Sequence, residues 1–335
     1  MRFEAECYAC PSNVAIKPIL MRILLCCSFP IFFGVLASAQ TAGFSIEPRG
    51  GEAKSVSIRV NSDLVQIPVT VLDRNDESIV GLDKERFRLF EDGVEQVITH
   101  FAMEDAPITM GFVFDASASM RDKLHKSRDA VTNFLSIANP DDEFFLVQFN
   151  ERAELVVDLT ESKKEVQRQL TFIRPSGRTA LLDAVNFSIR RMQKANNARK
   201  ALIIISDGGD NCSVSNLTDL KNLVREADVQ IYALGIFDPW EARSQTHEEL
   251  AGPALLRGVT KQSGGHLFEI ENVNQLPEIA SKIGQALRAQ YVLGYAPKAT
   301  SRAGKYHRVE VKLVQPKRSQ KLQASWRRGY YAPGE

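Results

Sequence analysis

Cysteine and histidine are scarce in this chain of 335 residues, which contains five of each. Four of the cysteines lie within the first 27 residues, and the fifth is Cys212. Because one thiol cannot form an internal disulfide, the rest of the chain is not a disulfide-stabilised scaffold. Cys7-x-x-Cys10 has no second ligand pair, and the histidines show no metal-ligand spacing at positions 100, 125, 247, 266 and 307. We therefore expect neither a zinc site nor a redox-active dithiol.

The chain also lacks an excess of charge of either sign. Its formal net charge is +1, and its basic residues are scattered along the sequence. No long-range field attracts nucleic acid, so we expect no nucleic-acid partner. The hydrophobic content of 44% and the charged content of 25% are typical of a globular protein. No nucleophile–base pair is evident either, and we predict that the protein is not an enzyme.

A long apolar run is present near the N-terminus, at residues 23–36. Ala37-Ser38-Ala39 follows it, and the combination is typical of a secretory signal peptide with a small-residue cleavage site. We assign 1–39 to this signal peptide, with Met21 as an alternative start of translation. A retained membrane anchor is the other interpretation, but the run is short for a span and Pro30 interrupts it. We predict a periplasmic, cell-envelope or secreted protein with no stable membrane span after cleavage.

The hydrophobic pattern divides the rest of the chain into four segments. Residues 40–54 are rich in Gly, Ser, Pro and Glu and are predicted to be a linker. Residues 55–106 alternate apolar and polar side chains, which predicts a β-rich N-terminal segment with strands at 56–60, 65–71, 87–91 and 97–101. Residues 107–290 alternate strand and helix patterns, and 291–335 return to strands. Because three terminal strands are too few for an independent unit, we predict that they pair with 55–106.

The predicted fold class is α/β, with a doubly wound, mostly parallel sheet and a smaller antiparallel β-domain built from the two flanking segments. Strand patterns without polar alternation, such as 201–205, are typical of strands covered on both faces. Within 107–290 the predicted strands are near 109–115, 143–149, 153–159, 201–206, 229–236 and 266–270. The predicted helices are near 120–137, 162–172, 180–195, 217–227, 250–263 and 274–288.

The most informative motif is Asp115-x-Ser117-x-Ser119, which directly follows the apolar strand pattern at 109–114. One carboxylate and two hydroxyls at alternate positions suit a hard divalent cation. Ser and Asp are also common helix N-caps, and Ser119 would cap a helix that begins at Met120. Two further features have a metal-ligand and a structural interpretation. Thr179 precedes a helix pattern and would be its N-cap, and Asp207 ends a strand before two glycines and would belong to a turn.

Considered together, these residues favour a metal site over a set of unrelated caps and turns. Asp115 and Asp207 end two strands of the predicted sheet, and Thr179 begins a helix at the same edge. Ligands of open α/β sheets bind at this edge, where the strand order reverses. Two carboxylates and three hydroxyls are hard oxygen donors. Of the nearby carboxylates, Asp183 is expected to favour a helix start electrostatically and Asp210 to lie in a solvated turn.

The set Asp115, Ser117, Ser119, Thr179 and Asp207 resembles the metal-ion-dependent adhesion site of von Willebrand factor A domains. The resemblance covers roughly 107–290, and the flanking strands resemble bacterial exported proteins described as "VWFA-related". It implies that Ser117 and Ser119 bind the metal directly, and Thr179 directly or through water. Asp115 and Asp207 would act largely through water. Mg²⁺ is the implied ion, with Mn²⁺ or Ca²⁺ as alternatives.

The sequence thus predicts an exported, metal-dependent protein-binding module of the adhesion type. A mostly neutral shell of hydroxyls and water leaves the charge of the ion incompletely cancelled, so an Asp or Glu carboxylate of a partner protein can complete the coordination. One alternative is a structural cell-envelope protein in which the metal only stabilises the fold. A metal-dependent hydrolase is a weaker alternative, because the only evident bases are the aspartates of the site. The sequence does not indicate an oligomeric state.

Overall fold

The computed structural model describes residues 64–103, 105–237, 246–297, 304–315 and 321–332, all of which belong to one compact unit. The predicted signal peptide, the linker and the predicted strand at 56–60 lie outside these residues. Within the described ranges no helix is both long and apolar enough to cross a bilayer.

The described elements alternate between strands and helices in the central part of the chain and are strands at both ends. The strands are β1 (Val65–Leu72), β2 (Phe87–Glu91), β3 (Val94–Gln96), β4 (His100–Met103), β5 (Ile108–Asp115), β6 (Glu143–Phe149), β7 (Ala153–Thr160), β8 (Arg199–Ser206), β9 (Gln230–Ile236), β10 (Leu267–Ile270), β11 (Tyr291–Tyr295), β12 (Tyr306–Leu313), β13 (Gln323–Trp326) and β14 (Gly329–Tyr331). The helices are α1 (Leu124–Ser136), α2 (Lys163–Leu170), α3 (Leu181–Met192), α4 (Leu217–Glu226), α5 (His247–Ser263) and α6 (Leu276–Arg288).

A six-stranded sheet with the order β10-β9-β8-β5-β6-β7 forms the centre of the α/β part. All its pairings are parallel except β6 with β7. The apolar side chains of α1, α2 and α6 cover one face, and those of α3, α4 and α5 cover the other. Burial on both faces explains why β5 and β8 are so apolar. The predicted doubly wound α/β class is confirmed.

Two four-stranded antiparallel sheets, β13-β1-β11-β4 and β14-β12-β2-β3, contain the flanking strands. Strand β1 pairs with both β11 and β13, and β12 pairs with β2. Each sheet therefore combines strands from before and after the α/β part. Side chains from both sheets, such as Ile67, Leu89, Leu293 and Val311, share one hydrophobic core. Apolar burial of this kind is the main force that joins the two ends of the chain.

The structure differs from the predicted pattern at 97–101 and at the starts of two helices, of which α1 begins at Leu124 rather than near 120. The apolar stretch at 97–101 is not one strand, because β3 and β4 belong to different sheets and Val97, 80% exposed, lies between them. Helix α5 begins at His247 rather than near 250. Thr246 and Glu249 form a capping box that fixes this earlier start, and Pro253 lies inside the helix.

Candidate metal centre

Asp115 and Asp207 lie at the carboxyl ends of the neighbouring strands β5 and β8. The chain passes from β5 to β6 on one side, whereas β8 pairs on the other side of β5, so the strand order reverses here. Asp115 is fully buried and Asp207 is 5% exposed. Burial, followed by the negative charge of Asp207, raises the pKa of Asp115 to about 7. Two buried carboxylates that repel each other favour a proton or a cation at this site.

Ser206, the last residue of β8, is a member of this site that the sequence analysis missed. Its hydroxyl donates a hydrogen bond of 2.5 Å to Asp115 Oδ2 and accepts one of 2.9 Å from the backbone N–H of Gly208. Asp115 Oδ1 accepts a bond of 2.9 Å from the backbone N–H of Ser117. These bonds orient the Asp115 carboxylate. The sequence feature that could have indicated this role is a hydroxyl residue at the end of an otherwise apolar strand.

The hydroxyls of Ser117 and Ser119 lie side by side, with their Oγ atoms 3.1 Å apart. Ser117 is buried, whereas Ser119 is exposed. Ser117 precedes a short 3₁₀ turn at residues 118–120 but makes no capping bond with its side chain, and α1 begins only at Leu124. The alternative in which Ser119 caps a helix beginning at Met120 is therefore wrong. Both hydroxyl oxygens keep lone pairs that a cation can use.

Thr179 reaches the same edge on the loop before α3. The backbone N–H of Ala118 donates to the carbonyl of Gly177 at 3.1 Å, which joins this loop to the loop of the two serines. Thr179 is 5% exposed, and its backbone N–H donates to Asn211 Oδ1 at 2.9 Å. The N-cap position of α3 is Ala180. The alternative in which Thr179 caps this helix is therefore also wrong.

Lys123 is a second residue of the site that the sequence analysis missed. Its Nζ lies 3.8 Å from Asp207 Oδ2, and the two side chains are 7% and 5% exposed. A buried lysine beside a buried aspartate cancels part of the negative charge of the site. Lys123 occupies the N-cap position of α1, three residues beyond the expected start of that helix. A lysine in a predicted helix does not by itself indicate that its side chain points into the protein, which is why the sequence did not identify Lys123.

Asp183 and Asp210 hold the loop that follows β8. Asp183 accepts hydrogen bonds from the backbone N–H groups of Val214 and Ser215 at 2.9 and 2.8 Å. Although burial raises the pKa of Asp183, these bonds and the Ser215 hydroxyl lower it below the usual value. Asp210 accepts from the backbone N–H of Leu182 and from the hydroxyl of Ser213. Asp183 lies in the first turn of α3 as expected, but its bonds position a loop.

The start of α5 packs closely on the turn that contains Asp207. Gly208 has φ of +82°, a conformation that favours glycine, and a Cβ added there would lie 2.8 Å from Gly252 Cα. A Cβ added at Gly252 would lie 2.8 Å from the backbone oxygen of Asp207. The absence of both side chains therefore allows α5 to support this turn directly.

The donor set suits a hard divalent cation. Five residues supply two carboxylates and three hydroxyls, and none supplies sulfur or imidazole. Among the described residues there is no group of three or more His, Cys, Asp and Glu side chains that could hold a metal ion. A metal site here would therefore depend on the hydroxyls as well as on the two carboxylates.

A family model for the von Willebrand factor type A domain matches residues 110–282, slightly more than half of the chain. Inter alpha-trypsin inhibitor heavy chain 4 of Mus musculus is 30% identical over 154 residues, which are 41% of this chain and 16% of the mouse protein. The chain thus matches less than a fifth of that relative's length.

Two solved structures are similar in fold to this chain, although their sequence identity to it is low. A von Willebrand factor type A protein from Catenulispora acidiphila has a TM-score of 0.49 and 14% identity, and the match covers 83% of this chain and 76% of that chain. Proximal thread matrix protein 1 of the mussel byssus, with a zinc-occupied MIDAS motif, has a TM-score of 0.48 and 18% identity. That match covers 59% of this chain and 50% of the byssus protein.

Proposed function

The chain belongs to the von Willebrand factor type A domain family, and from this premise we propose that it is an exported, metal-dependent protein-binding module. Asp115, Ser117, Ser119, Thr179 and Asp207 would hold a divalent cation, and an Asp or Glu carboxylate of a protein partner would complete its coordination. The observation that supports the proposal is that Asp115 and Asp207 follow neighbouring strands at a topological switch point, beside the linked loops that carry Ser117, Ser119 and Thr179. The three hydroxyls make no helix caps.

Charge supports the idea that the ion is presented to a partner. When a cation binds and both aspartates are ionised, Asp115 and Asp207 contribute two negative charges and Lys123 one positive charge, so the buried side chains sum to −1. A dication would leave a net charge of +1 in a region shielded from water. An anionic ligand from outside would neutralise this charge, and exposed Ser119 lies on the accessible side of the site.

Mg²⁺ is the proposed ion, with Mn²⁺ and Ca²⁺ as alternatives, because all five donors are oxygen atoms. The chemistry that the ion would supply is the attraction of a carboxylate. We propose no catalytic reaction. The two aspartates that could accept a proton are the ones assigned to the metal, and Asp115 is also held by Ser206 and Ser117.

Export of the protein is part of the proposal. It rests on the apolar run at 23–36 followed by Ala37-Ser38-Ala39, which is typical of a cleaved signal peptide. A partner would then be met in the periplasm, on the cell envelope or outside the cell. Mass spectrometry of the protein purified from the source organism tests this directly, because cleavage gives a mature N-terminus at Gln40.

The first experiment measures Mg²⁺ binding by isothermal titration calorimetry. We expect one site in the wild type and at least about tenfold weaker binding in Ser119→Ala and Thr179→Ala, because each variant loses an oxygen ligand. Asp129→Ala, which removes a half-exposed carboxylate on α1, is the control and should bind as the wild type does. Unchanged Mg²⁺ binding in both ligand variants would exclude the proposed site.

The second experiment separates partner capture from structural stabilisation by a metal. The mature protein is immobilised, and envelope proteins of the source organism are applied with Mg²⁺ or with EDTA. Capture that needs Mg²⁺ and is lost in Ser119→Ala, while the circular dichroism spectrum is unchanged, would support a presented metal. Tight Mg²⁺ binding and metal-dependent stability without any such captured partner would instead support the structural alternative.

A further inference from the structure

A cationic groove lies where α4 and α5 meet the sheet that contains β12 and β14. It has a volume of 660 Å³, and its lining includes Lys221, Arg225, Lys261, Arg308, Arg328 and the ring of Tyr306. Five of these six side chains are positively charged, and no carboxylate is part of the lining. This arrangement contrasts with a chain whose total charge is close to zero.

Separate elements bring the five cations together. Lys221 and Arg225 are four residues apart on α4 and therefore project from the same side of that helix. Lys261 is near the end of α5, and Gly258 on the same helix leaves room for Lys221, whose Cε would lie 3.4 Å from an added Cβ. Arg308 and Arg328 face the two helices from β12 and from the connection between β13 and β14.

The positive charges of the groove are only partly compensated. In the described part of the chain, none of the five cations has a carboxylate at ion-pair distance, and the neighbouring acids pair elsewhere. Glu310 lies 3.5 Å from Lys312, and Asp228 lies 2.7 Å from Arg327. Burial and then the positive charge of Arg308 lower the pKa of Arg328, and the negative charge of Glu310 offsets only part of this decrease. Like charges thus lie close together without a direct ion-pair partner among the described residues.

Aromatic rings hold two of the guanidinium groups. Arg328 lies over the ring of Trp326, 4.0 Å from its centroid, and Arg225 lies over the ring of Tyr306 at 5.6 Å. Stacking of this kind restricts a side chain that would otherwise move freely in solvent. Pre-positioned guanidinium groups bind phosphate and sulfate oxygens through pairs of parallel hydrogen bonds.

We propose that this groove is a second binding site, for a ligand that carries several phosphate or sulfate groups. Its volume is within the range of small-ligand sites, and its walls come from two helices and a sheet, so this open groove can contact a ligand from more than one side. A concave site favours a free or chain-borne oligoanion over the flat surface of an anionic membrane. The site shares no residue with the proposed metal centre, and its function does not depend on a metal.

The test is a calorimetric titration of the mature protein with tripolyphosphate in EDTA, so that metal chelation does not contribute to the heat. We expect saturable binding at one site in the wild type. Lys221→Glu and Arg308→Glu should each weaken the affinity by about tenfold or more, because each replaces a contacting cation with a repelling charge. Lys164→Glu makes the same charge change on the exposed surface of α2 and should bind within about twofold of the wild type.

Three outcomes would overturn the proposal. One is the absence of binding heat in the wild type, and another is an equal loss in Lys164→Glu, which would indicate only a general effect of net charge. The third is cosedimentation with vesicles containing one-third phosphatidylserine, abolished by Arg308→Glu, without tripolyphosphate binding, since this would indicate a membrane-facing surface. Melting curves identify a variant that fails to fold, and the other groove variant then decides the result.

Discussion

Replacing Lys123 by Met tests whether the buried lysine competes with the metal for the negative charge of the site. Methionine keeps most of the length and the apolar part of the side chain but removes the charge. In the metal-free protein, Asp115 and Asp207 would then share a buried site without the ammonium group 3.8 Å from Asp207 Oδ2. We expect this variant to be less stable in EDTA and to bind Mg²⁺ more tightly than the wild type.

The magnitude follows from Coulomb's law. Unit charges separated by 3.8 Å attract each other by roughly 4 kcal/mol at an effective dielectric constant of about 20. Loss of one partner of a buried ion pair typically lowers the free energy of unfolding by about 3–5 kcal/mol, which agrees. For a domain of this size the melting temperature should fall by roughly 10 °C in EDTA. A bound dication replaces the lost charge, so saturating Mg²⁺ should restore most of this loss.

The assay combines thermal melting in EDTA and in Mg²⁺ with calorimetric titration of Mg²⁺. If Mg²⁺ binding restored only about a third of the roughly 4 kcal/mol that the variant loses, the variant would bind Mg²⁺ about tenfold more tightly than the wild type. A difference of about 1.4 kcal/mol corresponds to a tenfold change in Kd. Lys126→Met is the control, because Lys126 lies on the same helix beside Asp129, at 3.9 Å, and is half-exposed. Equal or weaker Mg²⁺ affinity in Lys123→Met would refute the reasoning and make Lys123 a support of the metal site.

Three further results are expected. Because the pKa of Asp115 is raised to about 7, the native state binds more protons than the unfolded state between about pH 4 and pH 7. Urea unfolding in EDTA should therefore show stability falling as the pH rises through this window, and the decrease should be smaller in Asp115→Asn. Asp183→Ala removes two backbone hydrogen bonds from the loop after β8, so calorimetry should show Mg²⁺ binding weakened several-fold although Asp183 is no ligand. Gly252→Ala should lower the free energy of unfolding by about 1–3 kcal/mol through overpacking against Asp207, whereas Gly258→Ala should be neutral or stabilising in the same chemical denaturation assay.

The α/β part of the fold could be predicted from the sequence because its strands and helices have different hydrophobic periods. The strand at 143–149 was predicted with its observed ends, and the start of α4 at Leu217 was also predicted. The antiparallel part was harder, since alternation with period two indicates a strand but not its sheet. The chain between β3 and β4 leaves one sheet for the other at exposed Val97, and tertiary contacts alone determine this change.

The sequence also indicated which strand ends carry the candidate site, because buried parallel strands end at one edge of a sheet. Asp115 and Asp207 could be placed there from their strands alone. Ser206 and Lys123 could not, since nothing local indicates that a hydroxyl orients a distant carboxylate or that a lysine near a helix start turns inward. Both depend on side-chain contacts across 91 and 84 residues of chain.

The residue at which α1 begins distinguishes the two interpretations of Asp115-x-Ser117-x-Ser119, a helix N-cap or a set of metal ligands. If the helix began at Met120, the Ser119 hydroxyl would accept a bond from the first helical turn, and Lys123 would lie within that turn. The observed 3₁₀ turn at 118–120 delays α1 to Leu124. This one change leaves the hydroxyls of Ser117 and Ser119 without a capping role and places Lys123 beside Asp207. The availability of the two serine hydroxyls and the position of the Lys123 charge beside Asp207 therefore both follow from the late start of α1.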